Sequence, residues 1–138
     1  MERSLVLVKP DAMERGLAGA ILARLQADGL HLAALKMLHL DRATAERHYD
    51  VHRDKPFFKD LVDYITSTPI VAAVFTGENA IARIRKIMGA TNPEKADAGT
   101  IRKDYGIDVQ RNSTHASDSP ENGEVEIAIY FTPDEIFN

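Results

Sequence analysis

The sequence contains no cysteine, no tryptophan and no long run of apolar residues. Without thiols, disulfide scaffolds, thiolate zinc sites and cysteine nucleophiles are excluded. The apolar run near the start, residues 5–8 (LVLV), is too short for a signal peptide or a membrane span, so the cytoplasm is the expected location. Seventeen basic against 21 acidic residues give a formal net charge of −4. General nucleic-acid and anionic-membrane binders need a basic surface, so neither partner is expected.

The length of 138 residues, with 44% hydrophobic and 28% charged residues, is that of an ordinary globular chain. A chain of this size buries enough surface to hold one core without a metal or a disulfide. Glycine and proline are scattered singly, and no repeat, linker or low-complexity tract is present. We therefore expect a single domain over residues 1–138.

Apolar spacing predicts alternating strands and helices. Residues 5–8, stopped by Lys9-Pro10, indicate a buried strand. Leu17, Ile21 and Leu25 follow at i, i+4 and i+8, which predicts an amphipathic helix that ends at Gly29. Further strands are predicted over residues 30–40 and 70–75, and helices after the cap candidates Asp41 and Asn79 and over residues 57–65. Residues 89–106 show no sustained period. The interleaving indicates a sheet with helices packed on it.

The pattern near the end of the chain is ambiguous. Val125, Ile127 and Ile129 alternate with polar or small residues, which narrowly favours a strand. However, Ser119-Pro120-Glu121 is a good helix start, with a capping hydroxyl, a proline at the first position and an acid in the first turn.

Residues 111–119 (RNSTHASDS) form the densest polar cluster, which predicts a loop or a strand end. Three chemistries compete with a solvated loop. A hydrolase triad of Ser117, His115 and Asp118 is weakly supported, because triad members meet through the fold and no Gly-x-Ser-x-Gly elbow exists. A metal site at His48 and His52 lacks both the His-Glu-x-x-His pattern and a clear third ligand. The third is His115 as a nucleophile toward phosphorus, since neutral imidazole carries a free lone pair.

Nucleophilic attack on a phosphate needs cations and a platform for the nucleotide base. Lys9 follows the first strand, and Arg85 lies about 40° from Ile81 around its helix, beside the apolar stripe. Snorkelling and edge packing are the ordinary roles of such side chains. Arg102, Thr91 and Phe57 complete the candidates. No P-loop motif is present, so phosphates would be held by side chains.

Taken together, these residues resemble a known family. Residues 112–118 (NSTHASD) are similar to the Asn-x-x-His-Gly/Ala-Ser-Asp signature of nucleoside diphosphate kinases. Further segments resemble the family in the expected order, namely residues 7–11 (LVKPD), His48-Tyr49, residues 55–58 (KPFF), 89–93 (GATNP) and 99–102 (GTIR). The resemblance covers nearly the whole chain.

The resemblance implies a role for each matching residue. His115 would carry the phosphoryl group, and Ser117 and Glu126 would support it. Lys9, Tyr49, Arg85, Thr91, Arg102 and Asn112 match positions that surround the phosphates and the ribose, and Phe57 matches the aromatic on which the base stacks. The implied activity is ping-pong transfer of a γ-phosphate from a nucleoside triphosphate to a diphosphate, with broad base specificity. Mg²⁺ would arrive on the phosphates, with Asp118 reaching it through water. The alternative, an inactive nucleotide-binding or scaffolding module, would be favoured if His115 or Lys9 were missing, and both are present.

The implied fold is α+β, a ferredoxin-like four-stranded antiparallel sheet with helices packed on it. A helix would follow the signature, which overrules the strand interpretation of residues 125–129. The family also implies a homo-oligomer, with a hexamer favoured over a tetramer or a dimer. Three departures bear on this. Lys55 replaces a frequent arginine, Ala98 a frequent proline, and Ala116 a frequent glycine, the last at a cost in stability if a positive φ is needed there.

Overall fold

The computed structural model describes residues 1–137 and contains one four-stranded sheet. The strands are β1 (Glu2–Val8), β2 (His31–Leu38), β3 (Ile70–Gly77) and β4 (Thr114–Ala116), in the order β2-β3-β1-β4. Every neighbouring pair is antiparallel. The α+β, ferredoxin-like sheet that the resemblance implied is therefore confirmed.

Seven α-helices connect and cover the strands within the described residues. They are α1 (Pro10–Glu14), α2 (Ala18–Ala27), α3 (Arg42–His48), α4 (Phe58–Ile65), α5 (Ala80–Met88), α6 (Ile101–Tyr105) and α7 (Pro120–Tyr130). Short 3₁₀ turns lie at Asp50–His52, Pro93–Lys95 and Pro133–Glu135. Across residues 1–137, none of the helices combines the length and the apolar character that crossing a bilayer requires.

Strand β1 is buried on both faces, which explains its unbroken apolar run. Leu5 and Leu7 belong to a core shared with α3, α4 and α7. Val6 and Val8 belong to a second core, shared with α2, α5 and α6 on the opposite face. Successive side chains in a strand point to opposite faces. Because helices cover both faces of this strand, none of its central side chains faces solvent, and all of them can be apolar.

Two predicted helix boundaries are confirmed and one capping prediction is wrong. Gly29 has a φ of +88° just beyond α2, and Asp41 Oδ1 accepts a 2.7 Å hydrogen bond from the amide of Thr44 in α3. Asn79 precedes α5 with a φ of +54° but makes no capping bond with its side chain. Instead, Glu2 Oε1 accepts from the Ile81 amide at 3.0 Å. A carboxylate from β1 thus replaces the cap expected from local sequence.

Residues 120–130 form a helix, so the alternation in this segment is misleading. Ser119 Oγ accepts a 3.1 Å hydrogen bond from the amide of Asn122, as the helix-start signal indicates. Ile127 and Tyr130 are buried at i and i+3, whereas Val125 is 64% exposed. The apolar residues of α7 therefore do not share one face.

The sequence analysis missed α6. Its N-cap is Thr100, whose Oγ1 accepts from the amide of Lys103 at 3.3 Å. The helix is only one turn and a half long, too short to establish a period, and the capping threonine was its one local signal.

Candidate active site

His115 lies in β4 directly opposite Leu7 of β1, which places it on the sheet face covered by α3 and α7. Its side chain is 25% exposed, and its Nε2 is 3.1 Å from Oε1 of Glu126 in α7. Ser117 Oγ donates to the same carboxylate oxygen at 2.6 Å. Since an ionised carboxylate only accepts hydrogen bonds, the proton of the neutral imidazole sits on Nε2. Nδ1 therefore keeps its lone pair.

The environment keeps Glu126 ionised. Burial raises the pKa of Glu126, but the hydrogen bonds from His115 and Ser117, and the positive charge of His115 when that ring is protonated, outweigh it and bring the pKa to about 2. The negative charge of the Glu126 carboxylate beside Nε2 stabilises any state in which the ring of His115 becomes positive.

His48 in α3 forms the inner wall beside His115. The two ring centroids are 4.7 Å apart and the planes are tilted by 73°, in an edge-to-face contact. Nδ1 of His48 is 3.0 Å from the hydroxyl oxygen of Tyr130. Burial, followed by the charge of His115, lowers the pKa of His48 to about 3, so this ring is neutral at physiological pH. Tyr49 packs edge-on against it at 4.7 Å.

Lys9 follows the end of β1 and forms a polar chain with Asn112. Its Nζ donates to Oδ1 of Asn112 at 2.8 Å and to the carbonyl of Gln110 at 2.6 Å. Asn112 in turn donates to the carbonyl of Thr91 at 2.9 Å. Burial of the ammonium, the largest influence, lowers the pKa of Lys9 to about 8.

Arg102 is a second buried cation. Its two terminal nitrogens donate to the carbonyls of Gly89 and Thr114 at 3.0 and 2.9 Å, while Nε is buried without a partner. Burial and then the charge of Arg85 lower the pKa of Arg102 to about 10, so the guanidinium of Arg102 stays charged at neutral pH. Arg85 is exposed on α5 and lines, with Thr91, a cleft of about 390 Å³. A polyanion entering this cleft would meet three positive side chains, those of Arg85, Lys86 and Lys95.

Much of the polar run around His115 is buried, whereas a solvated loop was the ordinary expectation. Asn112, Ser113, Thr114 and Ser117 are each at most 3% exposed. Ser113 has a φ of +73°, while Ala116 lies in β4 outside the positive-φ region. The alanine therefore carries no left-handed strain, and the cost anticipated for it does not arise.

Phe57 and Asp118 are the two exposed residues among the predicted site residues that have aromatic or acidic side chains. Phe57 precedes α4, is 46% exposed, and its ring centroid is 5.5 Å from that of His52. An aromatic face this exposed suits stacking against a planar ligand. Asp118 is exposed, and its Oδ1 accepts from Asn122 Nδ2 at 2.6 Å.

The geometry excludes the hydrolase hypothesis, a triad of Ser117, His115 and Asp118. Ser117 donates to Glu126 rather than to His115, and Asp118 is bonded to Asn122. No Ser-His-Asp relay is formed, and Glu126, with a pKa of about 2, is too weak a base to activate the serine.

The structure also changes the set of residues in the metal-site hypothesis. Over residues 1–137, the group of three that could ligate an ion is His48, His115 and Glu126, whose ligand atoms lie within 4.8 Å of one another, and His52 is not in it. Nδ1 of His48 is already within hydrogen-bond distance of the hydroxyl of Tyr130, at 3.0 Å. The close His115–Glu126 contact is satisfied by a hydrogen bond.

One buried residue of this region, Asp11, was given no role by the sequence analysis. Asp11 accepts from the amide of Ser113 at 3.0 Å and from the hydroxyl of Tyr64 at 2.6 Å. Its signals in the sequence were its position beside Lys9-Pro10 and its place in the segment 7–11 that resembles the family.

The complete site thus combines a partly exposed histidine and its carboxylate partner with two buried cations, a cleft lined by further cations, and an exposed aromatic ring. These features define a phosphotransferase that acts on nucleotides. The family model described as "Nucleoside diphosphate kinase" matches residues 2–136. The chain belongs to the nucleoside diphosphate kinase family, whose members transfer the terminal phosphate of a nucleoside triphosphate to a nucleoside diphosphate, and it is an enzyme of that activity.

Individual relatives agree with this assignment. The chain is 54% identical over 138 residues to the nucleoside diphosphate kinase of Dehalococcoides mccartyi strain 195, covering 100% of this chain and 97% of the relative. It is 56% identical over 138 residues to that of Archaeoglobus fulgidus, covering 100% and 91%. Among solved structures, the enzyme of Aquifex aeolicus superposes with a TM-score of 0.95 at 46% identity, covering 98% of each chain. That of Halobacterium salinarum, in complex with CDP, gives 0.96 at 45%, covering 99% and 91%.

Proposed function

We propose that His115 is the residue that carries the phosphoryl group, and that it is phosphorylated on Nδ1. The observation that supports this most directly is the hydrogen bond from Nε2 to Glu126, because it leaves the lone pair of Nδ1 as the nucleophile. The partial exposure of the ring allows a nucleotide to reach it.

The transfer has two half-reactions. The Nδ1 lone pair attacks the γ-phosphorus, an N–P bond forms, and the bond to the bridging oxygen breaks, with its electron pair leaving on the nucleoside diphosphate. Glu126 accepts the Nε2 hydrogen bond throughout and offsets the positive charge on the ring. A terminal oxygen of a second diphosphate then attacks the same phosphorus and the N–P electron pair returns to Nδ1. The proton on Nε2 never has to leave.

Positioning and charge supply most of the rate in such a transfer. Arg85 and Arg102 suit the spreading charge of the phosphoryl oxygens, since a guanidinium donates in a planar fork. Lys9 adds a buried charge, and Asn112 and Thr91 are joined to it by hydrogen bonds. These side chains would form the phosphate and ribose subsite, together with Tyr49.

Phe57 would hold the base. A base that only stacks on an aromatic ring is poorly discriminated, because every base has a π-face, so broad nucleotide specificity follows. The exposure of Phe57 at the start of α4 supports this role.

Mg²⁺ would be held mainly by the nucleotide phosphates, and Asp118 would contact it through a water molecule. One exposed carboxylate, three residues from His115, fits this outer role better than a full set of protein ligands. When bound, the ion neutralises phosphate charge and orients the transferred group.

We further propose one kinase domain over residues 1–138 that works in the cytoplasm, where its nucleotide substrates are, with no nucleic-acid or membrane partner. It would form a homo-oligomer, a hexamer in preference to a tetramer or a dimer. The exposed Leu35 and Met37 of the edge strand β2 support self-association, because apolar edges are usually covered. Sedimentation equilibrium would measure the size.

The decisive experiment incubates the enzyme with γ-labelled ATP and Mg²⁺. We expect an acid-labile, alkali-stable phosphoprotein that returns its label to added diphosphate, and His115→Ala should abolish both label and turnover. His31→Ala, on an exposed position of β2, is the matched control. Normal labelling and turnover by His115→Ala would overturn the proposal. Binding of ADP without any exchange would instead support the inactive alternative, which nothing in the site or in the comparisons favours.

A further inference from the structure

Asp11 is a buried carboxylate to which the phosphotransfer chemistry assigns no part. It is 5% exposed in the first turn of α1, and its Oδ2 accepts a 3.0 Å hydrogen bond from the amide of Ser113. Its Oδ1 accepts from the hydroxyl of Tyr64 at 2.6 Å, and Tyr64 also accepts from the Asp11 amide at 2.8 Å. Arg15 lies 3.5 Å from Oδ2. Such complete bonding points to a carboxylate with a fixed position.

Ser113, which Asp11 holds, has an unfavourable backbone conformation. Its φ is +73°, and the amide of Thr114 donates to the carbonyl of Asn112 at 2.9 Å. A bond between residues i and i+2 across a positive φ defines a γ-turn of the rare, strained kind. Serine gains nothing from its own side chain there, since Ser113 Oγ is buried without a partner. The turn therefore persists because its surroundings hold it.

This turn joins the two halves of the site. On one side is Asn112, bonded to Lys9 and to Thr91. On the other side, two residues on, is His115 in β4. The carbonyl of Ser113 also accepts from the Lys9 amide at 2.9 Å. Relaxation of the turn would change the spacing between the phosphate-binding cation and the nucleophile.

We propose that Asp11 is a positioning residue for phosphotransfer, which clamps the strained turn at Ser113 and so sets Lys9 and Asn112 at the correct distance from His115. The inference rests on the proposed roles of these three residues. Asp11 acts through the turn and has no contact with the reacting atoms.

Asp11 also influences the charge of Lys9, which gives the clamp a measurable signature. The groups that act on this ammonium are Asp11 and Asp108, which raise its pKa, and Arg102, which lowers it. The ring of Tyr64 lies 5.8 Å away. Removal of the negative charge at Asp11 should therefore move the alkaline limb of kcat/KM to lower pH, which a purely structural residue would not do.

The test compares Asp11→Asn, Asp11→Asn/Ser113→Gly and Tyr64→Phe, with Asp28→Asn as control. Asp28 is an exposed aspartate that pairs with Arg83, away from the site. We expect Asp11→Asn to lower kcat/KM for nucleotide exchange about 10- to 100-fold, the scale of a small misplacement of catalytic groups, with an earlier alkaline limb. Glycine adopts a positive φ without strain, so the added Ser113→Gly should recover part of the loss but not the limb. Asp28→Asn should match the wild type.

Each outcome decides the matter. A wild-type kcat/KM for Asp11→Asn overturns the proposal. It is also overturned if Asp11→Asn loses activity, the added Ser113→Gly recovers none of it, and the alkaline limb of kcat/KM does not move. If Asp11→Asn does not fold, Tyr64→Phe decides, because it loosens the carboxylate but keeps its charge. A severalfold lower kcat/KM with an unmoved limb supports the clamp, and wild-type values overturn it. The clamp is tested by the rate of nucleotide exchange, whereas the proposed role of His115 is tested by labelling of the wild-type enzyme. Absence of label on wild-type His115 would therefore contradict the proposed function and not the clamp alone.

Discussion

Oε1 of Glu126 lies 3.1 Å from Nε2 of His115, and it reaches that atom from a different element of the fold. The histidine lies in β4 and the glutamate in α7, so the pair exists only when α7 packs against the sheet. Orientation of His115, the proposed nucleophile, is therefore coupled to folding of the last helix.

Replacement of Glu126 by Gln should slow phosphorylation of His115 about 100-fold, the usual scale for loss of one charge-stabilising group. The amide keeps the shape but removes the negative charge opposite Nε2. Rapid-quench measurement of labelling by ATP would give the rate. Glu124→Gln, two residues earlier on α7 and paired with Arg3 at the surface, is the control and should label normally. Equal rates in the two variants would contradict the role of Glu126.

Glu126 also makes the stability of the fold depend on pH in the acidic range. Its pKa is about 2 in the folded chain, well below the ordinary value near 4.3, so the ionised form favours folding. That stability is present above about pH 4.3 and is lost as pH falls toward 2. The difference in Tm between wild type and Glu126→Gln should shrink across this window. A difference that stays constant from pH 7 to pH 2 would show that ionisation of Glu126 does not stabilise the fold.

Deprotonation of Lys9 should lower the activity of the enzyme at alkaline pH. With a pKa near 8, the free enzyme loses this cation as pH rises through 8, so kcat/KM for nucleotide should fall there. Bound phosphate favours the charged form, so the limb of kcat should lie at higher pH. Lys9→Arg, which stays charged, should lose the limb, at the cost of a lower rate because the guanidinium has a different shape. A limb near pH 8 that persists in Lys9→Arg would assign it to another group.

Phe57→Ala should weaken binding of every nucleoside diphosphate by about 1–3 kcal/mol, the usual contribution of base stacking. The ring is 46% exposed, so its removal should leave the fold intact. Calorimetric titration with ADP, GDP and CDP measures the effect, and Phe137→Ala, which removes a ring that is 72% exposed, is the control. A loss confined to purines would contradict a general stacking role.

Gly123→Ala should destabilise the fold by about 1–3 kcal/mol, the range for overpacking. A Cβ there would lie 2.6 Å from the carbonyl oxygen of Arg3 in β1, so α7 would have to shift and carry Glu126 with it. Gly19→Ala in α2 is the opposite case, because nothing lies within 4 Å, and it should stabilise by about 0.5–1 kcal/mol. Urea denaturation compares the two. Equal stabilities would mean that α7 has room to move.

The amino-acid sequence alone determined the elements with strong local signals. Residues 5–8 predicted a buried strand, Leu17 to Leu25 predicted α2, and Asp41 predicted the start of α3, because apolar spacing and capping are properties of neighbouring residues. The signature around His115 indicated the family, and it predicts His115 as the nucleophile. Residues 125–129 were ambiguous, because a helix with a weak apolar face and a strand with alternating residues look alike in one dimension.

Only the tertiary structure decided which nitrogen of His115 faces Glu126, that Glu2 caps α5, and that Asp11 holds the turn at Ser113. Each of these contacts joins residues on separate elements, and the last two span 79 and 102 positions of the chain. A hydrogen bond depends on distances of a few tenths of an ångström, and sequence spacing carries no such information across strands and helices that meet only after packing.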